Sequence, residues 1–438
     1  MHCCFEPIVE TDLENGVHLS GIGGVGMSAL AELLLDLNIS VTGSDTTLSK
    51  NVLRLRARGV TIFLDQKKEH IGNRLVCRTR AVKDDNEEIL FAKKSVFRRD
   101  LLAFLAKGKK QIVITGSHGK TTTSALLSHC MIVCGFDPSF AVGGLSTSLD
   151  RYGRVGKGEF FVIEGDESDG SHLITQPFAA ILTSVDVDHL AFWKNGDNLL
   201  ASYREFISKI KSKESFLYFG DDEVLASMHP SGKSYGFKKG SDFRVEITSL
   251  ELNRTTFSIN DTPFSLPMFG SYNCLNAAAV YGLLDSLGVS HQKIRESFSS
   301  FSGVMRRMEH VGYDIYSDYA HHPSEVRAVL RDLEGVHGDV QIIFEPHRLS
   351  RFKDELEGFC KVFKEIVITD IFEASEGLCI DPKPLLKMFC KQTNSIYVPL
   401  EEIETYLSEH KRKTLVIGAG PIDQVLRNYV NKRTDQDS

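Results

Sequence analysis

Residues Ile114 to Ser124 read ITGSHGKTTTS, an apolar strand end that runs into a glycine turn and then into a Lys-Thr run able to start a helix. The common phosphate loop has Gly, four residues, then Gly-Lys-Ser/Thr; here Ile114 stands where its first glycine belongs, so the loop is a shortened form. The chemistry survives the shortening. Gly116 and Gly119 permit a tight loop around Ser117 and His118, Lys120 can reach terminal phosphates as a point charge, and Thr121 can offer its hydroxyl to Mg²⁺. Thr122 and Thr123 begin a helix whose N-terminus favours anions. A lysine-threonine helix start without a ligand is the plainer alternative, but it leaves the order of strand, glycines, Lys and Thr unexplained.

The same punctuation recurs along the chain. Apolar strands enter glycine-rich or acidic turns at VHLSGIGGVGMSALAELLL, FFVIEGDESDGS, AAILTSVDVDHL, QIIFEPHRLSRF and TLVIGAGP. Such alternation predicts an α/β protein with mostly parallel sheets and ligands at the carboxyl ends of the strands. A polar stretch at Lys107–Lys110 and the segment SGVMRRMEH mark two boundaries, giving expected domains of residues 1–107, 108–303 and 304–438. A length of 438 residues is consistent with three.

Composition excludes several classes. The chain is 42% hydrophobic and 25% charged, as in a soluble globular protein, and its net charge of -7 argues against a broad nucleic-acid surface. Nine cysteines without a CxxC pair suit a reducing cytoplasm better than a disulfide framework, and adjacent Cys3 and Cys4 have poor spacing for a metal. Glu6, Glu10, Asp12 and Glu14 interrupt any signal-peptide pattern, and Glu32 and Asp36 spoil Val17–Leu37 as a membrane span. The expected location is therefore cytoplasmic, with no membrane insertion. A homodimer is allowed but not dictated.

Two further clusters carry chemistry. Gly21, Gly23 and Gly26, with Gly24 between them, fit GxGxxG after a strand, and Ser44 and Asp45 end the next strand where a ribose-binding acid is expected. Taken alone, this cluster would point to NAD. FFVIEGDESDG supplies acids for a metal: Glu164 is the expected ligand, while Asp166, Glu167 and Asp169 read equally well as a solvated acidic turn. His189 closes the following strand beside that site.

Taken together, GIGGVGMSALAE, GSHGKTTT, EGDESDGS, DYAHHPSEV and EPHRLSR resemble, in order and over nearly the whole chain, the Mur ligases, ATP-dependent amide-forming enzymes of peptidoglycan synthesis. The resemblance implies a Rossmann-like N-terminal domain for a UDP-sugar, a central P-loop ATPase-like domain and a C-terminal Rossmann-like domain for the amino acid. It also implies ATP and Mg²⁺, with UDP-N-acetylmuramate and L-alanine as substrates and an acyl phosphate between them. By the resemblance, Lys120, Glu164, His189 and Arg348 serve catalysis, and Thr121, Glu164 and His189 serve metal positions. Asn273, Asn276, Arg307 and Asp318 match positions around the nucleotide. Tyr319, His321, His347, Arg348 and Arg351 match positions around the amino acid and the substrate carboxylate. The first glycine cluster, with Ser44 and Asp45, then binds a uridine diphosphate sugar.

The chain departs from the family pattern at four places: Tyr272 before the adenine-site Asn, Ala191 after His189, Thr79 and Arg80 for a serine pair, and Pro421 in GAGP. Three competing expectations remain. A recycling ligase would join a preformed peptide to the same sugar. A nicotinamide-dependent dehydrogenase would leave the phosphate loop idle. A nucleotide-binding sensor would bind ATP without substrate-dependent phosphate release. Lys120 is expected in an exposed loop, so that its removal spares the fold.

Overall fold

The computed structural model describes residues 7–167, 169–186, 193–336, 339–373 and 381–437. The chain forms two compact units, one of Met1–Glu246, Phe257–Ser265 and Cys274–Ser302, the other of Ile247–Thr256, Leu266–Asn273 and Gly303–Ser438. The first unit carries one sheet and most of a second; the other unit carries a third.

The first sheet is built from β1 (Val17–Ser20), β2 (Val41–Ser44), β3 (Thr61–Phe63), β4 (Leu75–Arg78) and β5 (Ser95–Phe97), in the order β3-β2-β1-β4-β5. Every pairing is parallel. Chain order reverses between β1 and β4, which opens a crevice at their carboxyl ends, where such sheets bind ligands. The segment Val17–Leu37 is strand, turn and helix: β1 is wholly buried, and the helix Val25–Asp36 buries Met27, Leu30, Leu33 and Leu34. The two acids that spoil it as a membrane span have structural work. Glu32 accepts Tyr152 N at 2.7 Å and Gly153 N at 2.8 Å, and Asp36 takes both of its carboxylate oxygens to Arg151. Among the described residues no helix is long and apolar enough to cross a membrane.

The second sheet runs through β6 (Lys110–Thr115), β7 (Ser139–Ala141), β8 (Gly153–Arg154), β9 (Phe160–Glu164), β10 (Pro177–Leu182), β11 (Phe216–Phe219), β12 (Lys233–Gly236), β13 (Phe243–Glu251), β14 (Arg254–Ile259) and β15 (Thr262–Leu266). Their order is β15-β14-β13-β12-β11-β10-β6-β9-β7-β8. β6 lies between β9 and β10, parallel to both, so the loop that follows it stands at a second switch point. The short β8 runs antiparallel to its neighbour β7.

The third sheet holds β16 (Glu309–Gly312), β17 (Ile315–Asp318), β18 (Gln341–Glu345), β19 (Val367–Ile368), β20 (Ile396–Tyr397) and β21 (Thr414–Gly418), in the order β16-β17-β21-β18-β19-β20. β16 is antiparallel to β17, and the remaining pairs are parallel. Phe344, Phe352, Phe359, Phe363 and Phe389 fill the core on one side of it.

Candidate active site

The loop after β6 is set by two glycines. Gly116 has φ +127°, and a Cβ there would lie 2.4 Å from Thr183 Oγ1; Gly119 has φ +82°, and a Cβ there would lie 2.7 Å from Asn276 Oδ1. Both conformations disfavour side chains, and both close approaches forbid them. Gly119 starts the helix Lys120–Val133, whose first amides have no partner in the preceding turn. Ser117 and His118 are fixed from β10: Ser117 N donates to Ser184 O at 2.9 Å, His118 N to Ser184 Oγ at 3.0 Å, and the His118 ring meets Asp186 at 2.7 Å. Thr122 lies inward on the helix and is buried.

β9 ends beside this loop. Glu164 accepts Thr121 Oγ1 at 2.9 Å, Ser124 Oγ at 3.1 Å and Gly143 N at 2.7 Å. Gly143 is required for that contact, since a Cβ would come within 2.5 Å of the carboxylate. A threonine hydroxyl beside a carboxylate is a set of hard oxygen donors, and it fits Mg²⁺ completed by water and phosphate oxygens. His189 and Ala191, like Cys3 and Cys4, lie outside the described residues.

Of the acidic turn after Glu164 only Asp166 keeps substantial exposure, at 39% of its side chain, whereas Glu167 and Asp169 are covered and paired, contrary to one of the two sequence expectations. Glu167 is only 2% exposed and holds Lys120 Nζ at 2.9 Å, while the ammonium also donates to Ser117 O at 3.1 Å. Lys120 is itself largely covered rather than exposed, its side chain keeping 14% of its accessibility. Burial alone would lower its pKa; the carboxylate of Glu167, with Asp166 and Glu164 behind it, outweighs burial and holds it above the ordinary lysine value. Asp169 is bonded to Arg98 at 2.5 Å and accepts Ser171 N at 2.9 Å. Sequence reading had no signal for Arg98 or for the Lys120–Glu167 pair, because both depend on which acids the fold buries.

Arg98 also reaches the first glycine cluster: a Cβ on Gly26 would meet its Nη1 at 2.9 Å. Gly21, at φ +79°, donates its N–H to Ser44 O at 2.8 Å, and Gly24 precedes the helix Val25–Asp36. Gly23 N donates to Asp45 Oδ2 at 2.9 Å, so Asp45 braces the loop that it was expected to complete. Ser44 faces the other way. It is fully buried, and its hydroxyl donates to Glu88 at 2.7 Å, in a network with Ser20 and His18. Thr79 and Arg80 follow β4, across the crevice from Gly21.

Asn276, on the helix Ser271–Ser286, packs against Gly119, whereas Asn273 is buried and donates to Phe269 O at 2.7 Å. In the second unit Asp318 accepts Met308 N at 2.9 Å and Ala320 N at 2.8 Å, which braces the turn carrying Arg306 and Arg307. Burial raises its pKa against the pull of Arg307 and these donors. Tyr319 lies under both guanidinium groups, 4.9 Å from Arg306 and 5.2 Å from Arg307. Tyr272 packs on the core of this sheet.

Arg348 follows β18 with φ +65°, an unusual conformation for a non-glycine residue and one that clusters at functional sites. Its N–H donates to Phe372 O at 2.7 Å. Arg351 Nη1 lies 3.3 Å from His347 Nδ1, and the rings of His347 and His321 are 5.2 Å apart. The five residues expected around the amino acid therefore converge, apart from the Arg348 guanidinium, whose contacts do not define its direction. Pro421 opens the last helix, where Glu345 supplies the acid: it accepts Gly420 N at 2.7 Å and Ile422 N at 3.0 Å, and burial pushes its pKa up to about 7.

A short phosphate loop, an oxygen-donor pair beside it and a dinucleotide-type crevice on a neighbouring sheet define a nucleotide-dependent α/β enzyme. Comparison with known proteins gives the family. Residues 16–110 match the domain described as Mur ligase family, catalytic domain, and residues 114–284 match the Mur ligase middle domain. The UDP-N-acetylmuramate--L-alanine ligase of Protochlamydia amoebophila is 35% identical over 93% of this chain and 96% of its own. That of Aquifex aeolicus is 32% identical over 95% and 97%. The crystal structure of UDP-N-acetylmuramate-alanine ligase MurC from Thermotoga maritima superposes with a TM-score of 0.84, at 27% identity, over 96% of this chain and 99% of that one. The chain belongs to the Mur ligase family.

Proposed function

We propose that the protein joins L-alanine to the muramoyl carboxyl group of UDP-N-acetylmuramate, with ATP converting that carboxylate to an acyl phosphate that the amine then attacks. A carboxylate cannot be displaced directly at a useful rate, because oxide would have to leave; phosphorylation supplies the leaving group. The observation that carries the reading is that Lys120 meets Glu167 and Thr121 meets Glu164 where β6 and β9 end, in a chain alike over nearly its full length to L-alanine ligases.

Lys120 is placed to follow the γ-phosphoryl group, exchanging Glu167 for phosphate oxygens as charge builds. Glu164 and Thr121 would hold Mg²⁺, which when bound neutralises phosphate charge. Gly21, Gly23, Gly24 and Gly26 form the expected diphosphate loop. Asn276, Asn273, Arg307 and Asp318 are assigned to the nucleotide, and Tyr319, His321, His347, Arg348 and Arg351 to the amino acid and the carboxylate. Residues 1–107, 108–303 and 304–438 are the three functional domains of this reading, and the cytoplasm is its setting.

ADP release should require both UDP-N-acetylmuramate and an amino acid, with L-alanine preferred over glycine and L-serine. Release that ignores the sugar nucleotide, or that needs a peptide in place of alanine, would reject the assignment.

A further inference from the structure

The amine that attacks an acyl phosphate must be unprotonated, yet at neutral pH the amino group of free alanine is an ammonium. Some group has to take that proton, and the second unit holds two histidines whose ring nitrogens are set in opposite senses. Nδ1 of His321 faces two acceptors, Tyr319 O at 3.1 Å and Glu325 Oε2 at 3.5 Å. Acceptors on that side place the ring proton on Nδ1 and leave a lone pair on Nε2. His347 is the reverse. Its Nδ1 faces Arg351 Nη1, which can only donate, so the proton of a neutral His347 sits on Nε2. The rings stand edge to face, 5.2 Å apart.

Glu325 lies in the first turn of the helix Pro323–Glu334, and it also accepts His321 N at 3.0 Å, which fixes backbone and ring together. The neighbouring His322 is spent differently. Its side chain accepts Ser324 N and caps that same helix. His321, by contrast, is held through Nδ1 and keeps Nε2 as its acceptor nitrogen.

We propose that His321 is the base that deprotonates the incoming L-alanine, with Glu325 as its positioning residue; this rests on the ligase reading above. The ammonium proton passes to His321 Nε2, and the freed nitrogen lone pair forms a bond to the acyl carbon. The bond from that carbon to the phosphate oxygen breaks, its electrons leave with the phosphate, and the proton on His321 is afterwards lost to water. His347, whose Nδ1 faces the Arg351 donor, carries its proton on Nε2 and is not set to be that base. The charged groups around His321 are Glu325, Arg351 and Arg307. Burial, then Arg351 and Arg307, lower its pKa while Glu325 and the Tyr319 carbonyl raise it, and the net shift is downward, which favours the neutral imidazole that a base requires.

Hydroxylamine separates this step from the rest, because it is a nucleophile already unprotonated at neutral pH. Wild-type protein with ATP and UDP-N-acetylmuramate should form the muramoyl hydroxamate; failure to do so would overturn the ligase reading itself. His321→Gln should lose about 100-fold in alanine ligation at pH 7 while still forming hydroxamate within a few-fold of wild type. Its deficit with alanine should narrow as the pH rises toward the amine's own ionisation. Glu325→Gln keeps an acceptor for the ring but removes the charge that raises the His321 pKa, so the acid limb of kcat/KM for alanine should move to lower pH. Equal losses with both nucleophiles, no loss with alanine, or an alanine deficit unchanged by pH would each show that His321 is not the base.

Discussion

Lys120→Ala is expected to lower ligation by about 10³-fold or more, since the ammonium is the one described lysine at the phosphate loop and acts where charge builds on the transferred phosphoryl group. The structure adds a consequence that the sequence did not suggest. Lys120 is an ion partner of Glu167, an acid with 2% exposure, so removing it takes a cation away from a covered carboxylate. Deleting one side of such a pair commonly destabilises a protein by about 1–3 kcal/mol. Lys120→Ala should therefore also lower the midpoint of urea unfolding. Adding Glu167→Gln to it should restore much of the stability and none of the activity. If the double variant regained turnover, Lys120 would be a structural residue; if the single variant unfolded like wild type, the pair would have no energetic weight.

Glu164→Gln is expected to be nearly as damaging to turnover, for a different reason. The carboxylate accepts Thr121, Ser124 and Gly143, so three donors converge on it. An amide can replace one acceptor oxygen, but its NH₂ group then faces a donor, and the site loses the negative charge that suits a divalent cation. The expected pattern is a fall of about 10²-fold or more in turnover, with the Mg²⁺ concentration for half-maximal activity moved upward and part of the loss recovered at high Mg²⁺. Ser124→Ala, which removes a single hydrogen bond and no charge, should have a mild effect. An unchanged Mg²⁺ requirement in Glu164→Gln would make Glu164 a brace for the loop and nothing more.

Much of this was legible along the chain because its signals are local. Gly116 and Gly119 mark positive φ, the Lys-Thr run starts a helix, and Glu164 ends an apolar strand; each reading needs only its neighbours. The repeated passage from strand through turn to helix gave the parallel sheets for the same reason. What escaped depends on contacts between distant segments. Nothing near Glu167 announces that it is buried against Lys120, 47 positions away, and nothing near Arg98 announces Asp169. Ser44 and Asp45 are adjacent at a strand end and read alike, yet alternation along the strand sends one hydroxyl into the core to Glu88 and leaves the other side chain at the loop. The two histidines of DYAHHP are adjacent, and only the family resemblance singles out His321. One caps a helix and the other is held by a carboxylate and a carbonyl, a difference visible only once the ring contacts are known. Pro421, a departure in sequence, costs the last helix no acid at its start, because Glu345 comes from another strand to serve it.

The central claim is that ATP activates the muramoyl carboxylate and that alanine displaces phosphate from it. UDP-N-acetylmuramate labelled with ¹⁸O in that carboxyl group tests it directly. With ATP, Mg²⁺ and L-alanine, one labelled oxygen should appear in the released inorganic phosphate for each UDP-N-acetylmuramoyl-L-alanine formed, both read by mass spectrometry. Phosphate released without label, or labelled phosphate with no alanyl product, would contradict the account.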